Sequence, residues 1–132
     1  MKILVAEDDF ASRRFLAKFL SQFATVDITV DGVEALDAYL LAEKDNSPYD
    51  LICLDIVMPK VDGVEVLKSI RDYESSKGIM PDKRVKIIIT SALHETHLVQ
   101  KSFEFGCEAF ITKPIDTEKL IEVMVKLGLI KA

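Results

Sequence analysis

Leu51-Ile52-Cys53-Leu54 is an unbroken apolar run that ends on an acid, Asp55. A strand with one wet face alternates apolar and polar residues, whereas a continuous run suits a strand covered on both faces, as in a parallel sheet. The pattern recurs. Ile3-Leu4-Val5-Ala6 closes on Glu7-Asp8-Asp9, Val85-Lys86-Ile87-Ile88-Ile89-Thr90 has the strongest β-branched bias, and Ala109-Phe110-Ile111 is broken by Lys113-Pro114. Val26-Asp27-Ile28 alternates like a less buried or edge strand. Between these runs the apolar period becomes helical. Phe10 to Phe23 places Phe15, Leu16, Phe19, Leu20 and Phe23 on one face, with Asp9 as N-cap. Val33 to Glu43 offers Val33, Leu36, Leu40 and Leu41 as its stripe. Val64 to Tyr73 is a third helix, His94 to Phe105 a fourth stopped by Gly106, and a fifth runs from a cap at Asp116 or Thr117 to about Leu127. Five strands alternating with five helices predict an α/β fold: a doubly wound parallel sheet with right-handed crossovers and helices on both faces.

The chain's 132 residues are expected to form a single domain over 1–132, with no output domain after Leu127 and no secretory leader at Met1-Lys2. A net charge of −5 argues against direct nucleic-acid binding through phosphate contacts. No apolar run approaches the length of a membrane span. Cys53 and Cys107 have no metal-ligand spacing and sit in apolar runs, so buried free thiols and a reducing cytoplasm are expected.

In open parallel sheets, function gathers beyond the carboxyl ends of the strands. Those ends carry Glu7-Asp8-Asp9, Asp55, Thr90-Ser91 and Thr112-Lys113-Pro114. Carboxylates brought together repel unless a cation neutralises them. Oxygen ligands without His or Cys favour Mg²⁺ over zinc. Asp55 is then placed as a nucleophile toward a phosphoryl group, with Lys113 as a compact positive charge and Ser91 as a hydrogen-bond donor to phosphoryl oxygens. Each residue alone has a plainer reading: acids after a strand as caps, Asp55 as a turn residue before Met58-Pro59, Lys113 as a solvated charge, Phe110 as core. Arg13-Arg14 reads as a solvated helix face or a partner contact. His94-Glu95-Thr96-His97 is not the zinc signature His-Glu-x-x-His and reads as an exposed helix start.

Taken in order, Ile3-Leu4-Val5-Ala6-Glu7-Asp8, Asp55-Ile56-Val57-Met58-Pro59 with Asp62-Gly63, Thr90-Ser91-Ala92 and Lys113-Pro114 resemble the receiver domain of two-component response regulators, in its stand-alone, CheY-like form. The likeness spans essentially the whole chain. It implies the strand order 2-1-3-4-5, which the periodicity does not supply. It also implies that Asp55 is phosphorylated, and that Glu7 and Asp8 hold Mg²⁺ with Asp55 and the backbone carbonyl of Val57. Ser91 and Phe110 become the switch pair, Lys113 the phosphate-binding lysine, and Lys113-Pro114 a cis peptide. Glu7 and Asp8 are preferred to Asp9 because they directly follow the strand. Ser91 is preferred to Thr90 because it stands 22 residues before Lys113, the family spacing, and precedes the small Ala92.

The implied function is a switch that takes a phosphoryl group from the phosphohistidine of a sensor histidine kinase or phosphotransfer protein. It then changes its affinity for a downstream protein through the fourth helix, fifth strand and fifth helix, as a monomer or a weak phosphorylation-dependent dimer. It is a phosphoacceptor that assists its own phosphotransfer rather than an enzyme with turnover. Rival readings are an aspartyl-phosphate phosphohydrolase of the haloacid dehalogenase type, a flavodoxin-like carrier and a pseudo-receiver scaffold. The first needs an Asp where Val57 stands, the second a phosphate-cradling loop where Glu7-Asp8-Asp9 stand, and the third would lack part of a set that is complete here. Two departures stand out. Ser75–Arg84 lengthens the third helix and its loop, and Val57 and Leu93 are apolar where some receivers carry polar groups that assist water.

Overall fold

The computed structural model describes residues 1–93 and 95–132; His94, named above, lies outside the described residues. The strands are β1 (Lys2–Ala6), β2 (Thr25–Thr29), β3 (Leu51–Asp55), β4 (Lys86–Ser91) and β5 (Ala109–Thr112). The helices are α1 (Phe10–Leu20), α2 (Gly32–Lys44), α3 (Gly63–Ser76), α4 (Thr96–Glu104) and α5 (Thr117–Lys126). All strand pairs are parallel, in the order β2-β1-β3-β4-β5. The sheet thus matches the implied order, with β1 and β3 at the point where the winding reverses.

Alternate residues of β1, β3, β4 and β5 feed two separate cores. Leu4, Ile52, Leu54, Ile87 and Ile89 meet α2 and α3. Ile3, Val5, Leu51, Cys53, Ile88 and Ile111 meet Leu16 and Leu20 of α1 and Leu120 and Met124 of α5. Every residue of β3 is buried, as its unbroken apolar run requires, while β2 at the sheet edge is largely exposed.

Aspartates start α1, α2, α3 and α5. Asp9, Asp31, Asp62 and Asp116 each accept from a backbone N–H of the first turn, which satisfies donors that the helix leaves unpaired. For α5 the cap is Asp116, not Thr117.

The helix faces depart from expectation. In α2 the buried positions are Gly32, Ala35, Tyr39 and Ala42; of the expected stripe, Leu36 packs partly buried against the core, whereas Val33, Leu40 and Leu41 are exposed. Tyr39 is the residue that decides this: its ring packs edge-on against Tyr73 of α3, and the small Ala35 and Ala42 let α2 lie close to the sheet. In α1, Leu16 and Leu20 point inward and Phe15 remains half exposed, stacked on Phe19. That helix ends at Leu20 rather than Phe23, and α3 runs on to Ser76. Helix α4 begins at Thr96, and strand β4 is shifted one residue, so that Ser91 is its last member and Val85 precedes it. Cys53 and Cys107 are both buried free thiols, pushed up to about 12 by burial. Among the described residues no helix is long and apolar enough to cross a membrane.

Candidate functional site

Glu7, Asp55 and Lys113 each follow the apolar column that faces α1 and α5. Glu7 stands two residues beyond Val5, Asp55 two beyond Cys53, and Lys113 two beyond Ile111. The alternation that buries those columns therefore also aims the three charges at one another. Lys113 Nζ donates to Glu7 Oε1 and, at 3.2 Å, to Asp55 Oδ2. Glu7 Oε2 accepts from the Asp9 backbone N–H at 3.1 Å, and Asp55 Oδ1 accepts a long 3.4 Å bond from the Val57 N–H. The Lys113–Pro114 peptide is cis.

Gly63 shapes the loop beneath Asp55. Its N–H donates to the Ile56 carbonyl at 2.9 Å, and a Cβ there would lie 2.1 Å from the Asp55 carbonyl oxygen. No residue with a side chain fits that approach, so the α3 N-terminus can rest against the backbone of Asp55 only with glycine present.

The charges do not balance. Glu7, Asp8 and Asp55 present ligand oxygens within 4.8 Å of one another, and the Lys113 ammonium pairs with Glu7 and Asp55 but not with Asp8. Glu7 and Asp55 are buried and Asp8 is exposed. Burial pushes the Glu7 carboxyl above its ordinary range; Lys113 pulls it back, and the hydrogen bond and charge of Asp55 push it further up. Burial pulls the Lys113 ammonium down, but its contacts with Glu7 and Asp55 outweigh this and raise it. Three crowded carboxylates with hard oxygen donors, open to solvent on the Asp8 side, fit a hard divalent cation such as Mg²⁺.

Ser91 and Phe110 belong to the other face. Ser91 follows Ile89 in the column facing α3, is fully buried, and its Oγ accepts from the Leu93 N–H at 3.0 Å. The Ser91 carbonyl accepts from the Lys113 N–H at 2.8 Å, so its backbone is tied to the lysine. Phe110 pairs with Ile89 and packs half-buried against the α2–α3 core. Val57 and Leu93 are both exposed, and their backbone N–H groups bond to Asp55 Oδ1 and Ser91 Oγ.

Some participants escape a reading of the sequence. Arg13, expected on a solvated face, turns back so that Nη1 donates to the carbonyls of Glu7 and Asp8, at 3.0 and 3.2 Å. Its spacing, one helical turn into α1, was the available signal. Thr90 is buried and its Oγ1 finds no partner among the described residues. Exposed Glu95 and His97 face each other at 3.5 Å, and the group among the described residues whose carboxylates lie close enough to hold a metal ion is elsewhere, at Glu7, Asp8 and Asp55.

Comparison with known proteins gives this geometry a family. Residues 3–125 match the response regulator receiver domain. The chain is 33% identical over 124 residues to the chemotaxis protein CheY of Treponema pallidum, covering 92% of this chain and 78% of that one. It is 32% identical over 134 residues to probable histidine kinase 2 of Oryza sativa subsp. indica, covering 94% of this chain but only 12% of that much longer protein. Among solved structures, the CheX–CheY–BeF₃–Mg²⁺ complex of Borrelia burgdorferi superposes with a TM-score of 0.82 at 28% identity, covering 97% of this chain and 89% of that one. With the sheet order, the strand-end charges and the matched span in agreement, this chain belongs to the receiver domain family of two-component response regulators.

Proposed function

We propose that the chain is a phosphorylation-dependent signalling switch whose phosphoacceptor is Asp55. The observation that carries this reading is the meeting of Glu7, Asp8 and Asp55 within 4.8 Å, with Lys113 bonded to two of them. An Asp55 oxygen attacks the phosphorus of a phosphohistidine, the P–N bond breaks, and its electron pair returns to the imidazole, leaving an acyl phosphate. Lys113 steadies the oxygens of the transferring group as a point charge. Glu7, Asp8, Asp55 and the backbone carbonyl of Val57 would hold Mg²⁺, which when bound neutralises the carboxylates and the incoming phosphoryl charge. The Borrelia relative, whose solved complex contains BeF₃ and Mg²⁺, supports this reading.

The donor, a sensor histidine kinase or phosphotransfer protein, docks across α1. Phe10 and Phe15 are 64% and 49% exposed there, beside Arg13 and Arg14. A cleft lined by Ala11, Ser12, Phe15, Pro114 and Ile115 runs from that face to Lys113. Phosphorylation adds about 1.5 to 2 negative charges. Ser91 and Lys113 then turn to the new oxygens, Phe110 shifts in its half-buried site, and the face of α4, β5 and α5 changes its affinity for a downstream protein. The change is a population shift limited by the difference in stabilisation of the two states. The protein acts in this way on partners in the cytoplasm, as a monomer or weak dimer, without direct nucleic-acid contact. Incubation with acetyl phosphate and Mg²⁺ tests the acceptor: one phosphoryl group appears by intact mass, and Asp55→Asn abolishes it. Equal labelling of the variant overturns the assignment.

A further inference from the structure

We infer that Thr90 is a positioning residue of the phosphoacceptor site, its hydroxyl held in reserve to donate to Asp55 once that carboxylate is drawn from Lys113. The inference rests on Asp55 being the acceptor.

Register places Thr90 beside Asp55. The two are partners across the β3–β4 ladder, and Thr90 pairs on its other side with Ile111 of β5. Paired residues of parallel strands share a sheet face at about 5 Å. Thr90 stands two residues beyond Ile88, so it continues the same α1–α5 column as Glu7, Asp55 and Lys113, whereas Ser91 lies on the opposite face. Four strands thus deliver four polar side chains to one patch: Glu7, Asp55, Thr90 and Lys113.

Thr90 is 1% exposed, and its Oγ1 is the single buried side-chain polar atom without a hydrogen bond among the described residues. A buried hydroxyl left unpaired destabilises the fold, and a valine of the same shape would not. Asp55 meanwhile has acceptor capacity to spare, since its bonds to Lys113 and Val57 are 3.2 and 3.4 Å long. A carboxylate only accepts and a hydroxyl can donate, so the pair is complementary. In the resting state Lys113, shared with Glu7, holds the Asp55 carboxylate. When a cation and a phosphoryl group take over those charges, the Thr90 donor is the group on the same strand pair that can fix one Asp55 oxygen and leave the other facing phosphorus.

The test measures stability and ligand response together, with Mg²⁺ and beryllofluoride as the phosphoryl stand-in. Thr90→Val is expected to raise the melting temperature of the ligand-free protein by roughly 3 °C. The same change is expected to weaken the apparent beryllofluoride affinity, read from melting shifts across a titration, about tenfold. Thr90→Ser, which keeps the hydroxyl, is expected to respond like the parent. Equal affinity in parent and Thr90→Val overturns the inference, as does a Thr90→Ser response as weak as that of Thr90→Val, which would assign the effect to the methyl. Should the valine variant fail to fold, Thr90→Ala against Thr90→Ser makes the same comparison, and equal responses there overturn it. A parent that does not respond at all instead sinks the Asp55 reading itself.

Discussion

Two buried charge clusters sit at opposite edges of one sheet, and they are built on different terms. At the amino-terminal edge of β4 and β5, Arg71 of α3 lies between Glu74 and Glu108. Every carboxylate oxygen there has a donor. Glu74 takes one bond from Arg71 at 2.7 Å and one from the Val85 N–H at 2.9 Å. Glu108 takes two from Arg71 at 3.0 Å and one from the Ile87 N–H at 2.6 Å. The remaining guanidinium donors close on the carbonyls of Val85 and Gly106. At the carboxyl edge, three carboxylates crowd together, one lysine bonds two of them, and the Asp55 bonds are long. The first cluster is finished by folding; the second is left in want of positive charge. A planar fork with fixed donors suits the former, and a compact ammonium that can move to a new oxygen suits the latter.

The sharpest way to break this contrast is to remove Arg71. Arg71→Met strands Glu74, which is 1% exposed, and Glu108 without their shared cation. The expected loss is about 3–5 kcal/mol, read from denaturant midpoints. Any Mg²⁺-induced rise in melting temperature should survive in the fraction that folds. A loss under about 1 kcal/mol would show that Arg71 is not holding the cluster together.

Next in size is the response to metal. Mg²⁺ binding to the native state alone stabilises by about 2.7 kcal/mol at a hundredfold excess over Kd. Glu7→Gln with Asp8→Asn should erase that shift in the melting curve, and an unchanged response would place the cation elsewhere.

A smaller effect of opposite sign separates the clusters most clearly. Asp55→Asn should stabilise the metal-free protein, by about 1 kcal/mol, because it relieves crowding while Lys113 keeps Glu7. Neutralising Glu74 at the other edge should destabilise, since its carboxylate serves both Arg71 and Val85. Chemical unfolding of the two variants without Mg²⁺ compares them directly; the same sign for both would erase the distinction.

What was legible in the sequence follows from the same physics. The strands are continuous apolar runs, so their ends, and the acids and lysine placed there, could be read before the fold was known. Asp9 as a cap and the buried thiols were equally direct, because each depends on local pattern. Residues whose role depends on register were not legible. Thr90 and Ser91 are neighbouring hydroxyls, and which sheet face each takes is fixed by the pairing of Asp55 with Thr90. Arg71 is one charge among several along α3, and nothing local marks it as the one that meets Glu108, 37 residues away. The α2 stripe failed, except at Leu36, which packs against the core, for a related reason: Leu40 and Leu41 carry more apolar surface than Ala35 and Ala42, but close approach to the sheet selects the small side chains.

The smallest expected effect concerns how long the carboxyl-edge cluster stays loaded. Hydrolysis of an acyl phosphate on Asp55 requires a water in line with the bond to phosphorus. A polar side chain near that line can orient the water, whereas an apolar one can only exclude it. Val57 and Leu93 are 53% and 38% exposed, and the Val57 and Leu93 N–H groups bond to Asp55 and Ser91. Their backbones are thus engaged with the site, while neither side chain can hydrogen-bond to a water. Val57→Asn with Leu93→Glu should shorten the phosphorylated lifetime about threefold, a barrier change of about 0.6 kcal/mol. Both substitutions keep the Asp55, Lys113, Glu7 and Asp8 side chains and the backbone N–H and carbonyl of residue 57, so labelling by acetyl phosphate should proceed in the variant. Single-turnover loss of phosphate, followed at equal Mg²⁺ in parent and double variant, measures the difference. Equal rates, or slower loss in the variant, would show that the backbone of these loops, and not the side chains of Val57 and Leu93, governs access of water.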